Sequence, residues 1–356
     1  MLTFSYLNML LFTNSMSSVD VVIGLQWGSE GKGKISAYLA SEYRVIVRSG
    51  GPQAGHTFYH DKKKYINRLV PCGVFSRCSL YIAPAGIINI DILKEEIDRY
   101  TLTPKKLMID NNAMVVTNGH IKAEQKSTLE KRLASTCEGV GAAQADKIWR
   151  TGKLFGNFVA GSFLEKYCGD TVQAIHNHIT FGDKILIEGT QGFGLSLNHG
   201  TYPFVTSRDI TVSALLNDIG VSPKEYNKTF GILRTYPIRV GGNSGPTKST
   251  ELSWDTISHR ALSSRPFREY TTVTGRLRRV FEQDYDTLER AVMVNKPNEL
   301  ALMFIDYINS EDFGKNDFDE LSNKSKDYIY ALEERLKLSV TIIGTGPEEK
   351  HIIDRR

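Results

Sequence analysis

Short apolar runs rich in β-branched residues alternate with helical segments along most of the chain, and this alternation constrains the fold more than any other feature. Seven runs have the composition of buried strands: 19–25, 43–47, 80–83, 183–188, 229–236, 300–305 and 338–343. Four intervening segments have helical periodicity: 91–100, 118–133, 209–219 and 324–338. Because parallel strands need crossovers that cover the sheet, the pattern predicts an α/β fold with a mostly parallel central sheet flanked by helices. No Pro/Ser-rich linker or internal repeat divides the chain, so we expect a single α/β domain over residues 19–356.

Composition and the beginning of the chain narrow the class of protein. With a formal net charge of +4 and 24% charged residues, the chain gives no support to a nucleic-acid partner. The four cysteines form neither a CxxC pair nor a zinc-binding spacing, which is typical of reduced, structural thiols in a cytoplasmic protein. The apolar residues 1–18 lack a basic start and are predicted to be a disordered leader; alternatively, Met16 is the true first residue. No other stretch approaches the length of a membrane span, so no membrane partner is expected.

The stretch VVIGLQWGSEGKGKI has the pattern of a buried strand followed by a glycine-rich loop and the beginning of a helix. Gly28, Gly31 and Gly33 allow backbone N–H groups to point at an anion, and Lys32 adds a positive charge. This arrangement predicts a P-loop-like phosphate loop; the alternative is an ordinary strand-to-helix turn, which three glycines and two lysines disfavour. A P-loop lysine is normally followed by a Ser or Thr that holds magnesium, whereas here Lys32 is followed by Gly33. The only hydroxyl of the loop belongs to Ser29.

Three further segments have polar or glycine-rich compositions that are typical of a binding site. Segment 49–57, SGGPQAGHT, ends in His56 and Thr57; a lone histidine is usually structural, but this one is a candidate for acid or electrostatic catalysis. Segment 188–207, EGTQGFGLSLNHGTYPFVTS, contains too few apolar residues to belong to a core. Segment 272–279, TVTGRLRR, is either a solvated basic patch or a clamp for a carboxylate. Together these segments indicate a site for a nucleotide phosphate, a second polar ligand and a carboxylate.

The motifs QWGSEGKGK, AGHT, QG…HGTYPFVTS, TGRLRR and GTGP resemble those of adenylosuccinate synthetases, and the resemblance extends over nearly the whole chain. It implies the fold of that family and a cytoplasmic carbon–nitrogen ligase of purine biosynthesis, with Mg²⁺ as its cofactor. Members of the family phosphorylate O6 of a purine nucleotide with the γ-phosphate of a nucleoside triphosphate, and the amine of L-aspartate then displaces the phosphate. Phosphorylation turns a poor leaving group into a good one.

The resemblance also implies roles for individual residues. The expected catalytic residues are Ser29, Lys32 and His56. The residues expected to bind ATP are Gly31, Lys32, Gly33, Lys34, Gly55, His56, Thr57, Phe304, Asp306, Gly344, Gly346 and Pro347. The residues expected to bind the purine monophosphate are Ser29, Gln53, Ser135, Thr136, Arg150, Gln191, Leu195, Thr206, Val240 and Arg276, with Arg150 reaching it from the second subunit of a homodimer. The residues expected to bind L-aspartate are Val273, Thr274, Gly275, Arg276 and Arg278, and the expected Mg²⁺ ligands are Ser29 and the Gly55 carbonyl.

Two positions depart from the family's pattern. The first loop of the family reads QWGDEGKGK, and its aspartate both binds Mg²⁺ and takes the proton from purine N1; here Ser29 stands in its place. The guanine-reading motif of the family is Thr-Lys-Leu-Asp, whereas this chain has Met303-Phe304-Ile305-Asp306. Phe304 in place of the lysine can stack on either purine, and Asp306 can accept a hydrogen bond from an adenine amino group.

Both departures resemble the phage branch of the family, the 2-aminoadenylosuccinate synthetases, which join aspartate to dGMP with ATP or dATP. That resemblance implies that Ser29 accepts a hydrogen bond from the 2-amino group of dGMP. The proton on N1 is then left to phosphate oxygens or to a magnesium-bound water. A conventional synthetase that uses IMP and GTP is the first alternative. A catalytically inactive nucleotide sensor is the second, although the retained Lys32, His56 and arginine loop are typical of an active enzyme.

Overall fold

The computed structural model describes residues 18–272 and 275–356. The predicted leader lies outside the described residues except for Ser18, and so do Val273 and Thr274, two of the residues expected to bind aspartate. The four cysteines are free and three of them are buried, as expected of structural thiols. In the part of the chain that is described, no helix combines the length and the apolar character needed to cross a membrane.

The strands and helices of the described residues follow the alternation of the sequence. The strands are β1 (Val19–Gly24), β2 (Val45–Arg48), β3 (His56–His60), β4 (Lys63–Asn67), β5 (Ser79–Ile82), β6 (Ile87–Ile88), β7 (Leu107–Asp110), β8 (Met114–Val115), β9 (Cys168–Gly169), β10 (Ile185–Glu188), β11 (Tyr226–Arg234), β12 (Ile238–Arg239), β13 (Glu251–Leu252), β14 (Arg279–Phe281), β15 (Glu299–Met303), β16 (Val340–Gly344) and β17 (Ile352–Asp354). The α-helices are α1 (Lys32–Leu39), α2 (Ile90–Arg99), α3 (Asn118–Lys126), α4 (Leu129–Leu133), α5 (Val140–Trp149), α6 (Phe155–Val159), α7 (Thr171–Thr180), α8 (Val212–Asp218), α9 (Trp254–Arg260), α10 (Tyr285–Asn295) and α11 (Asn323–Leu336).

Ten of these strands form one sheet, in the order β17-β16-β15-β11-β1-β10-β2-β5-β7-β9. Every neighbouring pair is parallel except β16 and β17, which are antiparallel. All seven predicted strands belong to this sheet, and β7, β9 and β17 extend it. The prediction of a mostly parallel central sheet flanked by helices is therefore confirmed.

The sheet is covered on both faces because successive side chains of a strand point to opposite sides. In β1, Val21 and Ile23 pack into one apolar cluster with residues of α8, α10 and α11. Val22, between them, packs into a second cluster with residues of α1 and α2. A strand buried on both faces has little room for charge along its length, so charged side chains are found at its ends: Arg48, Glu188 and Arg234 are the last residues of β2, β10 and β11.

The segment 118–133, which has helical periodicity, is helical but not one continuous helix. The segment forms α3 and α4, and Thr128 between them is in a left-handed conformation with φ 59°. The hydroxyl of Ser127 donates a hydrogen bond to the carbonyl of Glu124 at 2.6 Å. A serine hydroxyl bonded to the backbone in this way competes with continuation of the helix. Apolar periodicity alone did not reveal the interruption.

Parallel pairing places the loops that follow five central strands at one edge of the sheet. The phosphate loop follows β1, segment 49–57 follows β2, and segment 188–207 begins at the end of β10. The segments that contain Phe304 and Pro347 follow β15 and β16 in the same way. Ligands of open α/β sheets bind at this carboxyl edge, and the motifs found in the sequence therefore meet there.

Candidate active site

A cavity of about 910 Å³ opens at the carboxyl edge of the sheet. Most residues predicted for the site line it: Ser29, Gly31, Lys32, Gly33, Lys34, Gln53, Gly55, His56, Thr57, Ser135, Thr136, Gln191, Leu195, Thr206, Val240, Arg278, Phe304, Asp306, Gly346 and Pro347. Four predicted residues are not among those that line it: Arg150, Gly275, Arg276 and Gly344. The remaining two, Val273 and Thr274, lie outside the described residues.

The residues that do not line the cavity have other surroundings. A Cβ on Gly344 would lie 2.4 Å from the side chain of Met303, so this glycine allows close packing of β16 on β15. Arg276 forms an ion pair with Glu130 of α4. Arg150 is exposed directly after α5, in a left-handed conformation with φ 63°. The fold of one chain therefore does not bring Arg150 to the cavity.

The phosphate loop is built from left-handed backbone. Gly28, Ser29 and Gly31 have φ values of 88°, 58° and 103°, and α1 begins directly after Gly31. A Cβ on Gly33 would lie 2.8 Å from the Cβ of His56, so the glycine allows segment 49–57 to approach the first turn of α1. The beginning of a helix, with its free N–H groups, thus lies beside a histidine in a layout suited to an anion.

Glu30 is fully buried beneath this loop and organises it. One of its carboxylate oxygens accepts hydrogen bonds from the backbone N–H groups of Gln26 (3.2 Å) and Gly28 (2.8 Å), and the other pairs with Lys32 Nζ at 2.5 Å. Ser29, by contrast, is exposed at the cavity wall. The loop therefore presents a hydroxyl to the cavity, while its only carboxylate is bonded within the protein.

His56, the first residue of β3, and Glu188, the last residue of β10, form a buried pair. His56 Nδ1 lies 2.6 Å from Glu188 Oε1, and Arg48 donates to the same carboxylate at 3.2 Å. Burial and the charge of Arg48 lower the pKa of His56 to about 4. Burial alone would raise the pKa of Glu188, but the hydrogen bond from His56 and the charge of Arg48 hold it below its usual value.

These values define the protonation state of the pair at neutral pH. Glu188 is ionised and His56 is neutral. The single ring proton of His56 is therefore on Nδ1, which donates a hydrogen bond to the carboxylate of Glu188. His56 Nε2 is buried and has no hydrogen-bond partner among the described residues. It is thus an acceptor as it stands, and it becomes a donor only when the ring gains a second proton.

Phe304 and Asp306 form one wall of the cavity directly after β15. Phe304 has φ 64°, its carbonyl accepts a hydrogen bond from Thr235 Oγ1 at 2.8 Å, and the guanidinium carbon of Arg234 lies 4.0 Å from its ring centroid. Burial raises the pKa of Asp306 to about 7, against the opposing charge of Lys34. The pKa of Lys34 is lowered to about 7, also mainly by burial.

Lys34 does not form an ion pair with this aspartate. Its Nζ donates to the carbonyls of Gly346 and His351, each at 2.7 Å, and so ties α1 to the segment after β16. No salt bridge joins Asp306 to any described residue, and its side chain is almost fully buried at the cavity wall. Since Lys34 is bonded elsewhere, burial dominates the titration of this carboxyl group.

Arg234 and Arg278 share the carboxylate of Glu269. Arg278 donates to Glu269 at 3.1 Å, and Arg234 donates to both oxygens of the same carboxylate, one at 3.2 Å. Burial raises the pKa of Glu269, but the charge and hydrogen bonds of Arg234 hold it below its usual value, so it is ionised. Arg278 Nε is buried without a hydrogen-bond partner in the described part of the chain. The Nε edge of this guanidinium is therefore available to a second carboxylate.

The wall formed by Gln53, Gln191 and Thr206 has unused hydrogen-bonding capacity. Gln191 has φ 61°, and its amide nitrogen donates to Thr206 Oγ1 at 2.9 Å. The side-chain oxygens of Gln53 and Gln191 are buried and accept no hydrogen bond from a described residue. Unsatisfied buried acceptors are rare in proteins, and here two of them belong to residues of the cavity wall. They would suit a ligand that carries N–H groups.

Several charged residues of the site have no motif of their own in the sequence and were missed. They are Glu30, Arg48, Glu124, Glu188, Arg234, Arg239 and Glu269. The carboxylate of Glu124 accepts three backbone N–H bonds at the beginning of α5. The guanidinium of Arg239 donates to the carbonyls of Pro246 and Phe204. A charged residue at the end of an apolar strand, as in Arg48, Glu188 and Arg234, is the one signal that would have found some of them.

A family model described as adenylosuccinate synthetase matches residues 21–164 and 159–315. The chain belongs to the adenylosuccinate synthetase family. Curated relatives agree: adenylosuccinate synthetases of Pyrococcus sp. (strain ST700) and Thermococcus onnurineus are 35% and 36% identical over 343 residues, which cover 94% of this chain and 98% of each relative. The predicted class, a nucleotide-binding carbon–nitrogen ligase related to purine biosynthesis, is confirmed at this level.

Two solved structures of synthetases have the same architecture. Fully ligated adenylosuccinate synthetase from Plasmodium falciparum superposes with a TM-score of 0.85 at 26% identity, covering 96% of this chain and all of that one. Succinoaminodeoxyadenylate synthetase (PurZ) of cyanophage S-2L, bound to dGMP and to dATP as an energy donor, superposes with a TM-score of 0.81 at 29% identity. That comparison covers 96% of both chains. The sequence relatives named above are thus conventional synthetases, and one structural neighbour is a phage enzyme.

Proposed function

We propose that this member of the family joins L-aspartate to C6 of dGMP with ATP or dATP as the phosphoryl donor, as the phage branch does. The γ-phosphoryl group is transferred to O6 of the purine, and the amine of aspartate then attacks C6. The C6–O6 bond breaks and inorganic phosphate leaves with O6. The product is 2-amino-2'-deoxyadenylosuccinate, a precursor of 2-aminoadenine in DNA.

The observation that carries the proposal is a hydroxyl where the family has a carboxylate. Ser29 is exposed at the cavity, while the adjacent Glu30 is buried with both carboxylate oxygens bonded. No carboxylate of this loop therefore stands beside the purine, which leaves room for an amino group at C2. A serine hydroxyl can accept a hydrogen bond from that amine, and the free oxygens of Gln53 and Gln191 add two further acceptors nearby in the same cavity.

The donor site supports the same proposal. The family's lysine over guanine is replaced by Phe304, whose ring is backed by the guanidinium of Arg234 at 4.0 Å. A neutral ring stacks on adenine as well as on guanine, so the donor is no longer limited to GTP. The phage structural neighbour, solved with dGMP and dATP, has the combination of substrates that these two positions suggest.

A conventional synthetase remains the second candidate because the curated relatives, at 35% and 36% identity, are adenylosuccinate synthetases. That reaction uses IMP, which has no 2-amino group, and GTP. The family performs it with an aspartate at the position of Ser29 and a lysine at that of Phe304. Since this chain lacks both side chains, the site favours the dGMP reaction.

The transferred phosphoryl group would lie between the beginning of α1 and His56. Backbone N–H groups of Gly31 to Gly33 would bind the triphosphate, and Lys32, now paired with Glu30, would add charge. Because His56 is neutral and its Nε2 carries no proton, the ring can stabilise a transferring phosphoryl group only after Nε2 takes up a proton. The approach of phosphate oxygens raises the pKa of an imidazole and so favours that uptake.

Aspartate would bind through Arg278, whose Nε edge is unpartnered. Ser29 and the Gly55 carbonyl offer hard oxygen donors of the kind that suit Mg²⁺. Because both oxygens are neutral, Mg²⁺ would be held more by the triphosphate than by the protein. When bound, Mg²⁺ neutralises charge on the phosphates. Most of its ligands would then be phosphate oxygens and waters.

We also propose a homodimer in which Arg150 completes the site of the neighbouring subunit. Arg150 is exposed and does not line the cavity of its own chain. The two residues before it, Ile148 and Trp149, are 67% and 76% exposed. Large apolar side chains exposed together are typical of an interaction surface.

A matrix of substrates tests the proposal. The full chain is incubated with Mg²⁺, L-aspartate, one of IMP, GMP and dGMP, and one of ATP, dATP and GTP, and the succino-product is measured by chromatography and mass spectrometry. We expect the highest rate with dGMP and an adenine donor. A highest rate with IMP and GTP would establish the conventional reaction instead, and the absence of product and of released phosphate in every combination would refute both reactions, as the sensor predicts. Reactions without aspartate are the control.

A further inference from the structure

Arg234 has no role in the proposed reaction, yet it contacts three residues that line the cavity. It is the last residue of β11, and its side chain is fully buried. Its backbone is fixed to the phosphate loop by two hydrogen bonds of 3.0 Å with the side-chain amide of Gln26. The position of the guanidinium is therefore set by a central strand and by the loop that follows β1.

The guanidinium contacts three separate segments. It donates to the carbonyl of Ser29 at 3.3 Å, it lies 4.0 Å from the ring centroid of Phe304, and it pairs with Glu269. The same Glu269 carboxylate accepts a hydrogen bond from Arg278 at 3.1 Å. In the proposed function these segments contact three different substrates: Ser29 the purine monophosphate, Phe304 the donor base, and Arg278 the aspartate.

Two of the contacted residues are in an unfavourable backbone conformation. Ser29 and Phe304 have φ values of 58° and 64°, in a region that residues other than glycine rarely adopt. Such conformations persist only where several surrounding contacts hold them, and they are common at functional sites. Arg234 supplies one such contact to each: a hydrogen bond to the Ser29 carbonyl and a stacking surface for the Phe304 ring.

Glu269 holds Arg278 in a defined orientation. It occupies one edge of the Arg278 guanidinium, and the unpartnered Nε lies on another. A guanidinium bonded along one edge offers the other as a preformed fork for a carboxylate. Without Glu269, the arginine would have to be ordered when aspartate binds, which weakens binding.

We propose that Arg234 is a positioning residue that holds Ser29, Phe304 and, through Glu269, Arg278 in one mutual arrangement. The proposal rests on the proposed function for the identities of the substrates, but not for the geometry of the cluster. The plainer reading is a buried ion pair that only stabilises the fold. The two roles predict different effects of a conservative substitution. If Arg234 is a positioning residue, substrate binding changes; if it only stabilises the fold, stability alone changes.

The test uses Arg234→Lys, which keeps the charge but loses the planar stack and the paired hydrogen bonds, and Glu269→Gln, which keeps the shape but loses the charge. We expect Arg234→Lys to raise the KM values of monophosphate, donor and aspartate severalfold each and to lower kcat. Glu269→Gln should raise the aspartate KM about tenfold and the other two KM values less, because Arg278 loses its charged partner, whereas Arg234 keeps its hydrogen bond to the Ser29 carbonyl and its contact with the Phe304 ring. The matched control is Arg335→Lys, which alters an exposed arginine–glutamate pair between α11 and α10 and should change no KM value.

The variants are assayed with whichever nucleotide pair the unmodified protein turns over, or by equilibrium titration of each ligand if it turns over none. A preference for IMP would thus refute the proposed function and leave this test intact. The inference is overturned if Arg234→Lys and Glu269→Gln lower the Tm while every KM or Kd stays unchanged. If Arg234→Lys does not fold, Glu269→Gln decides: an aspartate affinity equal to that of the unmodified protein would refute the positioning role.

Discussion

Asp306 should select the donor base by its state of protonation, and Asp306→Asn should remove the pH dependence of that selection. The Watson–Crick edge of adenine has an acceptor at N1 and a donor at N6, whereas guanine has donors at N1 and N2. A neutral carboxyl group has one donor and one acceptor and matches adenine, while a carboxylate has only acceptors and matches guanine. Burial raises the pKa of Asp306 to about 7, so both states occur near neutral pH.

The charges around Asp306 come from three elements, and they set the sign of the effect. Lys34 of α1 and Arg234 of β11 favour the carboxylate, and Glu269 favours the neutral acid. With a pKa of about 7, about nine-tenths of the sites are neutral at pH 6 and about one-tenth at pH 8, and apparent affinity scales with the competent fraction. ATP binding should therefore weaken about tenfold from pH 6 to pH 8, while GTP binding strengthens by a similar factor. The ratio of the two affinities should change by about a hundredfold.

Equilibrium titrations of ATP and GTP across this pH range measure that ratio. Both donors carry the same triphosphate, so the titration of the phosphates cancels in it. Asn at position 306 carries a fixed donor and a fixed acceptor, so Asp306→Asn should bind ATP within about threefold of the unmodified protein at pH 6 and show a constant ratio. A ratio that does not change with pH in the unmodified protein, or an equal loss of ATP and GTP binding in Asp306→Asn, would refute the reasoning.

Three further predictions concern the proposed substrates. Ser29→Asp should lower turnover of dGMP about tenfold or more and introduce or raise turnover of IMP, because the carboxylate crowds the 2-amino group and restores a base near N1; an unchanged rate with dGMP in steady-state assays would contradict this. Arg278→Ala should raise the aspartate KM steeply with little effect on nucleotide KM, and equal losses in both would argue against the carboxylate contact. Arg150→Ala should abolish most activity, and mixing it with His56→Ala should restore part of it in hybrid dimers. A fully active monomer, measured by sedimentation, would exclude that arrangement.

The convergence of the motifs could be predicted from the sequence because it follows from the topology. Three of the four glycine-rich or polar segments come directly after an apolar run, and parallel strands bring their carboxyl ends to one edge. Gly31, His56, Gln191 and Phe304, which are far apart in sequence, line the same cavity for that reason. The motifs alone indicated the types of ligand, and the sheet explains why they belong to one site.

The buried charges could not be predicted because their partners are distant in sequence. His56 and Glu188 are 132 residues apart, and Gln26 and Arg234 are 208 apart. A single Glu or Arg gives no periodic or spacing signal, and its meaning depends on which strands become neighbours in the sheet. The sequence therefore indicated the side chains that face a ligand, and the side chains that hold those residues in place emerged only from the fold.

Arg234 also explains why a phenylalanine suits position 304. The two arginines Arg234 and Arg278 already share the single carboxylate of Glu269, so the cluster holds two cations and one anion in a buried place. A lysine at position 304 would add a third cation against a guanidinium that now lies 4.0 Å from the Phe304 ring, at a cost in repulsion and desolvation. It would also favour the ionised form of Asp306 and so lower its pKa. Phe304→Lys should accordingly lower the Tm and shift donor preference toward GTP at every pH. The neutral ring at position 304 and the burial that raises the pKa of Asp306 thus both favour adenine.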